Sequence, residues 1–119
     1  MVIFLGKARV RADALDSVLA ACRDMVAKTV GEPGCIEYNG HQLIGDPQTI
    51  VFVEKWASRA DMETHLAAPH TQAFLGGIAA AVLAPPVLDM GTAGTTACCS
   101  GVSLCMQNDA TAWRLPRPR

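Results

Sequence analysis

The chain has 119 residues, half of them hydrophobic, with 10 basic and 11 acidic side chains and a net charge of −1. That length suits one small domain, and the apolar content favours a packed globule over disorder. The near-neutral balance leaves no electrostatic footprint for nucleic acid or an anionic membrane surface.

A domain of this size buries only about two thirds of its unfolded surface, so it tends to lean on a partner subunit. The five cysteines, Cys22, Cys35, Cys98, Cys99 and Cys105, are odd in number and irregular in spacing. This argues against a disulfide framework. With no CxxC and no histidine beside the later cysteines, no metal site is expected, and reduced, unreactive thiols fit a cytoplasmic protein. Met1–Leu5 is apolar but short and lacks a basic leader, unlike a signal peptide. Ile78 to Leu88 is interrupted by Pro85 and Pro86, which excludes it as a membrane span.

In chain order, Val2 to Val10 reads as a strand, apolar on both parities at its start. Such a run must be covered on both faces. Asp13 is placed to cap a helix from about Ala14 to Val30. Within it Leu15, Val18, Leu19, Cys22, Met25 and Val26 recur at helical spacing, with Asp16, Arg23, Asp24 and Lys28 opposite. Gly31-Glu32-Pro33-Gly34 ends the helix, since proline cannot continue it and glycine accepts the turn. Cys35 to Ile44 reads as a second strand, Gly45-Asp46-Pro47-Gln48 as a turn, and Thr49 to Ala57 as a third strand completing a hairpin. Ser58 and Asp61 resemble a capping box, with aspartate in place of the usual glutamate or glutamine. A helix to about Ala67, a break at Pro69, a second helical segment to about Leu83, a stop at Pro85-Pro86 and a short strand Val87–Met90 follow.

This order is the split βαβ, or ferredoxin-like, α+β pattern, with helices on one face of an antiparallel sheet. On the third strand Ile50, Phe52, Glu54 and Trp56 point one way and Val51, Val53, Lys55 and Ala57 the other. Both rows begin with large apolar groups, so a homodimer packed sheet against sheet is expected. Residues 1–90 read as the domain. From Gly91 to Arg119 the composition turns first Gly/Thr/Ala/Cys-rich and then basic and proline-rich around Trp113, which suggests a flexible tail.

Several segments, in order and at matching spacing, together resemble the antibiotic biosynthesis monooxygenase family, which includes small quinol monooxygenases. They are Glu32-Pro33-Gly34-Cys35-Ile36-Glu37-Tyr38, Asp46-Pro47, Phe52-Val53-Glu54-Lys55-Trp56, His65-Leu66-Ala67-Ala68-Pro69-His70 and Phe74. The resemblance covers about Met1 to Met90. It implies a ferredoxin-like subunit, a dimeric α+β barrel, and a cavity in each subunit between sheet and helices. Many members oxidise quinols or polycyclic phenols with molecular oxygen and no flavin, haem or metal. The family also holds haem-degrading enzymes, a sugar-phosphate isomerase and members without known activity. The haem-degrading branch uses a first-strand asparagine, a second-helix tryptophan and a later histidine. This chain offers Gly6-Lys7, His65 and Ala73-Phe74-Leu75-Gly76-Gly77 at those places, so haem degradation is not expected.

Triplet oxygen reacts slowly with closed-shell organics, so a cofactor-free oxygenase must first make its substrate electron-rich by removing a proton. It needs a base near neutral pKa, an apolar pocket and donors for the anion. His65 is the first candidate base, at the edge of an apolar stripe that includes Met62 and Leu66. It also has a structural reading, bonded to a carboxylate or carbonyl. Trp56 can wall the cavity or simply pack, and Tyr38 can donate to an oxyanion or serve as a sheet aromatic. Glu54, among Ile50, Phe52 and Trp56, needs a partner or carries a raised pKa; a salt bridge is the favoured structural reading. Glu54, His70, Phe52, Met62 and Phe74 are the expected substrate-binding set. His41 is expected at solvent or the dimer surface, and Cys22 and Cys35 as small apolar fillers. A non-catalytic ligand-binding or stress-response dimer and an acid–base isomerase are the alternatives on the same fold.

Overall fold

In the computed structural model, residues 1–93 are described. They form strand β1 (Val2–Arg9), helix α1 (Leu15–Thr29), strands β2 (Cys35–Leu43) and β3 (Asp46–Trp56), helices α2 (Arg59–Ala67) and α3 (Pro69–Ile78), and strand β4 (Val87–Thr92). All strand pairs are antiparallel, in the order β2-β3-β1-β4, which is the expected ferredoxin-like α+β sheet. Cys98, Cys99, Cys105 and Trp113 lie outside the described residues.

Local differences from expectation have plain causes. Asp13 does not cap α1. A 3-10 turn, Ala12–Ala14, leads into the helix instead, and the Asp13 carboxylate accepts from Arg11 Nε at 3.0 Å. The hairpin turn is the pair Ile44-Gly45, and Asp46 and Pro47 already belong to β3. Asp46 is held there by Arg9 Nε at 2.8 Å and Thr49 Oγ1 at 2.7 Å. Pro47 is tolerated because β1 pairs with β3 only as far as Thr49, leaving no ladder bond for the missing N–H on that side. Pro69 opens α3 rather than only closing α2. It occupies the first helical position, where its absent N–H costs nothing, and Ala68 before it is extended (φ −62°, ψ 142°). α3 ends at Ile78, ahead of a 3-10 turn at Ala79–Ala81. β4 reaches Thr92, two residues beyond the expected end, because the whole stretch Val87–Thr92 pairs with Lys7–Val2.

The α2 cap forms as the sequence indicates. Ser58 Oγ accepts from the Asp61 N–H at 3.1 Å and donates to Asp61 Oδ2 at 2.7 Å, a cap worth about 1 kcal/mol. Beneath the helices the core has two clusters. One joins Val2, Phe4, Met25, Tyr38, Trp56 and Met62, and the other joins Val10, Val18, Cys22, Ile50 and Ala81. Phe52 and Phe74 border both, ring centroids 5.8 Å apart and edge to face. Among the described residues no helix is long and apolar enough to cross a membrane.

Candidate active site

A cavity of about 130 Å³ lies where the two clusters meet, between the helix-facing side of the sheet and the helices. Tyr38, Phe52, Glu54, His65 and Phe74 line it, with aliphatic side chains supplying most of the remainder. Leu88 and Pro86, both exposed, mark its open side toward β4. Five of the eight expected site residues therefore line one cavity. Trp56, Met62 and His70 do not line the cavity. Trp56 is fully buried behind His65, with ring centroids 4.8 Å apart. Met62 is core, and His70 stands on the outer side of Glu32. His41 is exposed on β2, as expected.

Glu54 is buried, with 4 % of its surface exposed. Its partner is not a cation. Among the described residues it forms no ion pair, and Oε2 instead accepts from the Trp56 indole N–H at 2.9 Å. The alternation of β3 explains this, because residues two apart share a face. Burial pushes the Glu54 carboxyl up to about 7; the indole bond opposes the rise and the charge of Glu32 adds to it. This is a carboxyl poised to trade a proton near neutrality.

His65 is nearly enclosed. Its ring is edge-on to Tyr38, with centroids 5.2 Å apart. Nδ1 lies 2.7 Å from Glu32 Oε2, and the Thr71 hydroxyl is 3.4 Å from the same nitrogen. Burial lowers the His65 pKa below the ordinary histidine value; its bond to Glu32 and the carboxylate charge oppose this, and His70 adds to it. With Nδ1 held by a carboxylate, Nε2 is the nitrogen left for the cavity. Tyr38 is raised well above an ordinary phenol, chiefly by burial and then by the Glu54 charge, so its hydroxyl stays protonated. Cys22 is pushed up to about 11 by burial, and burial also raises Cys35, so both thiols stay protonated fillers.

Glu32 is a polar group beside the site that sequence reasoning left without a role. It sits in the turn after α1, where its N–H donates to Thr29 O at 2.9 Å and its carbonyl accepts from Cys35 N–H at 3.1 Å. The carboxylate thereby reaches both His65 and His70, the latter at 2.8 Å between Oε1 and Nε2. The donor atoms of Glu32, His65 and His70 lie within 4.8 Å of one another, a set that could accept a metal ion. In this structure each carboxylate oxygen already faces one imidazole.

The family model for "Antibiotic biosynthesis monooxygenase" matches residues 1–76. A solved structure described as an antibiotic biosynthesis monooxygenase is 29 % identical and superposes with a TM-score of 0.75, covering 79 % of this chain and 99 % of that one. A Bacillus subtilis protein named "Putative monooxygenase YcnE" is 25 % identical over 75 residues, 63 % of this chain and 79 % of that protein. An uncharacterized Synechocystis protein is 24 % identical over 74 residues, and the match spans 62 % of this chain but only 50 % of that relative's length. The match over most of the described residues, together with the shared fold, means that this chain belongs to the antibiotic biosynthesis monooxygenase family.

Proposed function

We propose that the protein is a monooxygenase that oxidises a quinol with molecular oxygen and needs no bound cofactor. The observation that carries this reading is the presence of both Glu54 and His65 in the lining of a small, largely apolar cavity. A hydroquinone bound there loses a phenolic proton to His65 or Glu54. Tyr38 donates to the resulting oxyanion, Phe52 and Phe74 flank the ring, and the electron-rich anion passes one electron to oxygen. Size narrows the substrate class. An apolar cavity of about 150 Å³ accepts benzene, so about 130 Å³ suits a single aromatic ring better than a polycyclic phenol.

The test is oxygen uptake with a panel of one- and two-ring hydroquinones, without added flavin or metal. Uptake that favours single rings and falls in His65→Ala supports the reading. No uptake above background across the panel overturns it. An acid–base isomerase would draw on the same Glu54–His65 pair, and turnover under strict anaerobiosis would identify it. A ligand-binding dimer would show tight binding without turnover.

The same proposal includes a homodimer. Ile3, Leu5, Val51 and Val53 form an apolar row in the two central strands, on the sheet face away from the helices. No described element covers that row, and a second sheet packed on it would bury it.

A further inference from the structure

The cavity raises a problem that its own lining does not solve. A base enclosed at 1 % side-chain exposure must still exchange its proton with water during turnover. The His65, Glu32 and His70 side chains follow one another in close polar contact from the cavity outward, hydrogen-bonded between His65 and Glu32 and only in proximity between Glu32 and His70. The separations are 2.7 Å from His65 Nδ1 to Glu32 Oε2 and 2.8 Å from Glu32 Oε1 to His70 Nε2. Side-chain exposure rises along the series from 1 % at His65 to 17 % at Glu32 and 24 % at His70. His70 Nε2 is itself shielded from solvent, so the exposed part of that ring lies away from Glu32.

We propose that His65, Glu32 and His70 form a reversible proton wire between the cavity and solvent, with His70 as its outlet. This rests on the quinol-oxidising reading of the cavity. In the resting wire His65 donates Nδ1–H to Oε2, and one proton is shared between Oε1 and His70 Nε2, which stand 2.8 Å apart. That outer contact lies off the ideal hydrogen-bond line, and a small rotation of the partly exposed His70 ring aligns it. When the phenolic O–H gives its proton to His65 Nε2, the Nδ1 proton moves to Oε2. The outer proton then stays on His70 Nε2, and the His70 Nδ1 proton leaves to water. One proton enters, one departs, and all three groups finish neutral. No lasting imidazolium is needed at His65, where burial disfavours one.

Monooxygenation resets the chain. Overall, two hydrogens of the quinol and one oxygen atom end as water, while the other oxygen atom enters the product. Protons must therefore return to the reduced oxygen, and the same hops run backward from water through His70 to His65. Placing His70 at the start of α3, immediately after Pro69, sets the outlet beside Glu32, while α2 carries His65.

The test compares the wild type with His70→Gln in oxygen uptake with hydroquinone, in dilute buffer and with rising free imidazole. The variant is expected to slow at least about tenfold in dilute buffer and to recover as imidazole is added, since a diffusible base replaces the outlet. A variant that keeps the wild-type rate in dilute buffer, or one whose loss imidazole leaves unchanged, overturns the wire. A second measurement needs no turnover. Exchange of the His65 Nδ1 proton with water, followed by NMR, is expected to slow by a similar factor in His70→Gln. Unchanged exchange in the folded variant overturns the wire. Slowed exchange without oxygen uptake for any hydroquinone would retain the wire and reject the quinol reading.

Discussion

Trp56 and Glu54 share one face of β3, and the indole N–H of the first is spent on the carboxylate of the second at 2.9 Å. The bond keeps Glu54 hydrogen-bonded without neutralising it, so desolvation still dominates and its pKa rises from 4.5 to about 7. Between those values the folded chain holds a proton that the unfolded chain releases. Stability therefore falls as pH rises through this window, and the penalty is complete above about 7. Its size is roughly 3 kcal/mol. Glu54→Gln keeps an acceptor for the indole and removes the titration. Urea denaturation is expected to show a gain of up to roughly 3 kcal/mol near pH 8 and little change near pH 4.5. Equal effects at the two pH values would contradict the assignment.

His65 titrates in the opposite sense. Its folded pKa is depressed, so its contribution to stability is present above the ordinary histidine value and is lost as pH falls through the lowered one. Burial sets the direction, and the Glu32 carboxylate restrains it. An NMR titration of the histidine ring protons should show a His65 midpoint below that of an exposed histidine. In Glu32→Gln the midpoint should drop further, because the restraint is gone while the burial remains. A rise in that variant would show that Glu32 does not act on His65 as the geometry indicates.

The sequence reveals the sheet because β3 alternates around Glu54, and the helix break because proline acts locally. Parity on β3 places Phe52 and Glu54, and helical spacing places His65, because each reports which face a side chain takes; Tyr38 and Phe74 stand out only through the family resemblance. The failures are those of contacts between distant segments. Glu32 lies 33 positions from His65, in a turn whose visible signal is Pro33-Gly34, and only the approach of α2 to that turn joins them. Trp56 reads as a cavity wall because parity gives its face but not its depth. In the fold, His65 stands between it and the space. Asp13 fails as a cap because Arg11, two residues away, takes the carboxylate first.

Gly34 is the one described glycine with a positive φ, at 77°, and a Cβ there would collide with the Asp61 carboxylate. That carboxylate is engaged in the Ser58 cap, so the clash would strain the turn and loosen the start of α2 together. Gly34→Ala should lower stability by about 2–4 kcal/mol in urea denaturation. Because Glu32 lies in the same turn, the variant should also broaden the His65 resonances. A loss under about 0.5 kcal/mol, the range of ordinary surface changes, would mean that the turn is slack.

The outward row Ile3, Leu5, Val51 and Val53 is the surface on which the proposed dimer depends. Leu5 and Val53 are direct partners in the β1–β3 register, so a charge at either falls at the centre of the row. Leu5→Arg should leave the helix-facing core intact, since Leu5 points away from Phe4 and Gly6 along the strand. In a dimer it would place two like charges in an apolar interface, and removing charge from water there costs several kcal/mol per ion. The wild type is expected to elute from size exclusion as a dimer at micromolar concentration, and Leu5→Arg as a folded monomer with an unchanged far-UV circular dichroism spectrum. If the wild type is monomeric across that range, the row is solvent-facing and the dimer is wrong. If Leu5→Arg remains a dimer, the subunits meet through another surface.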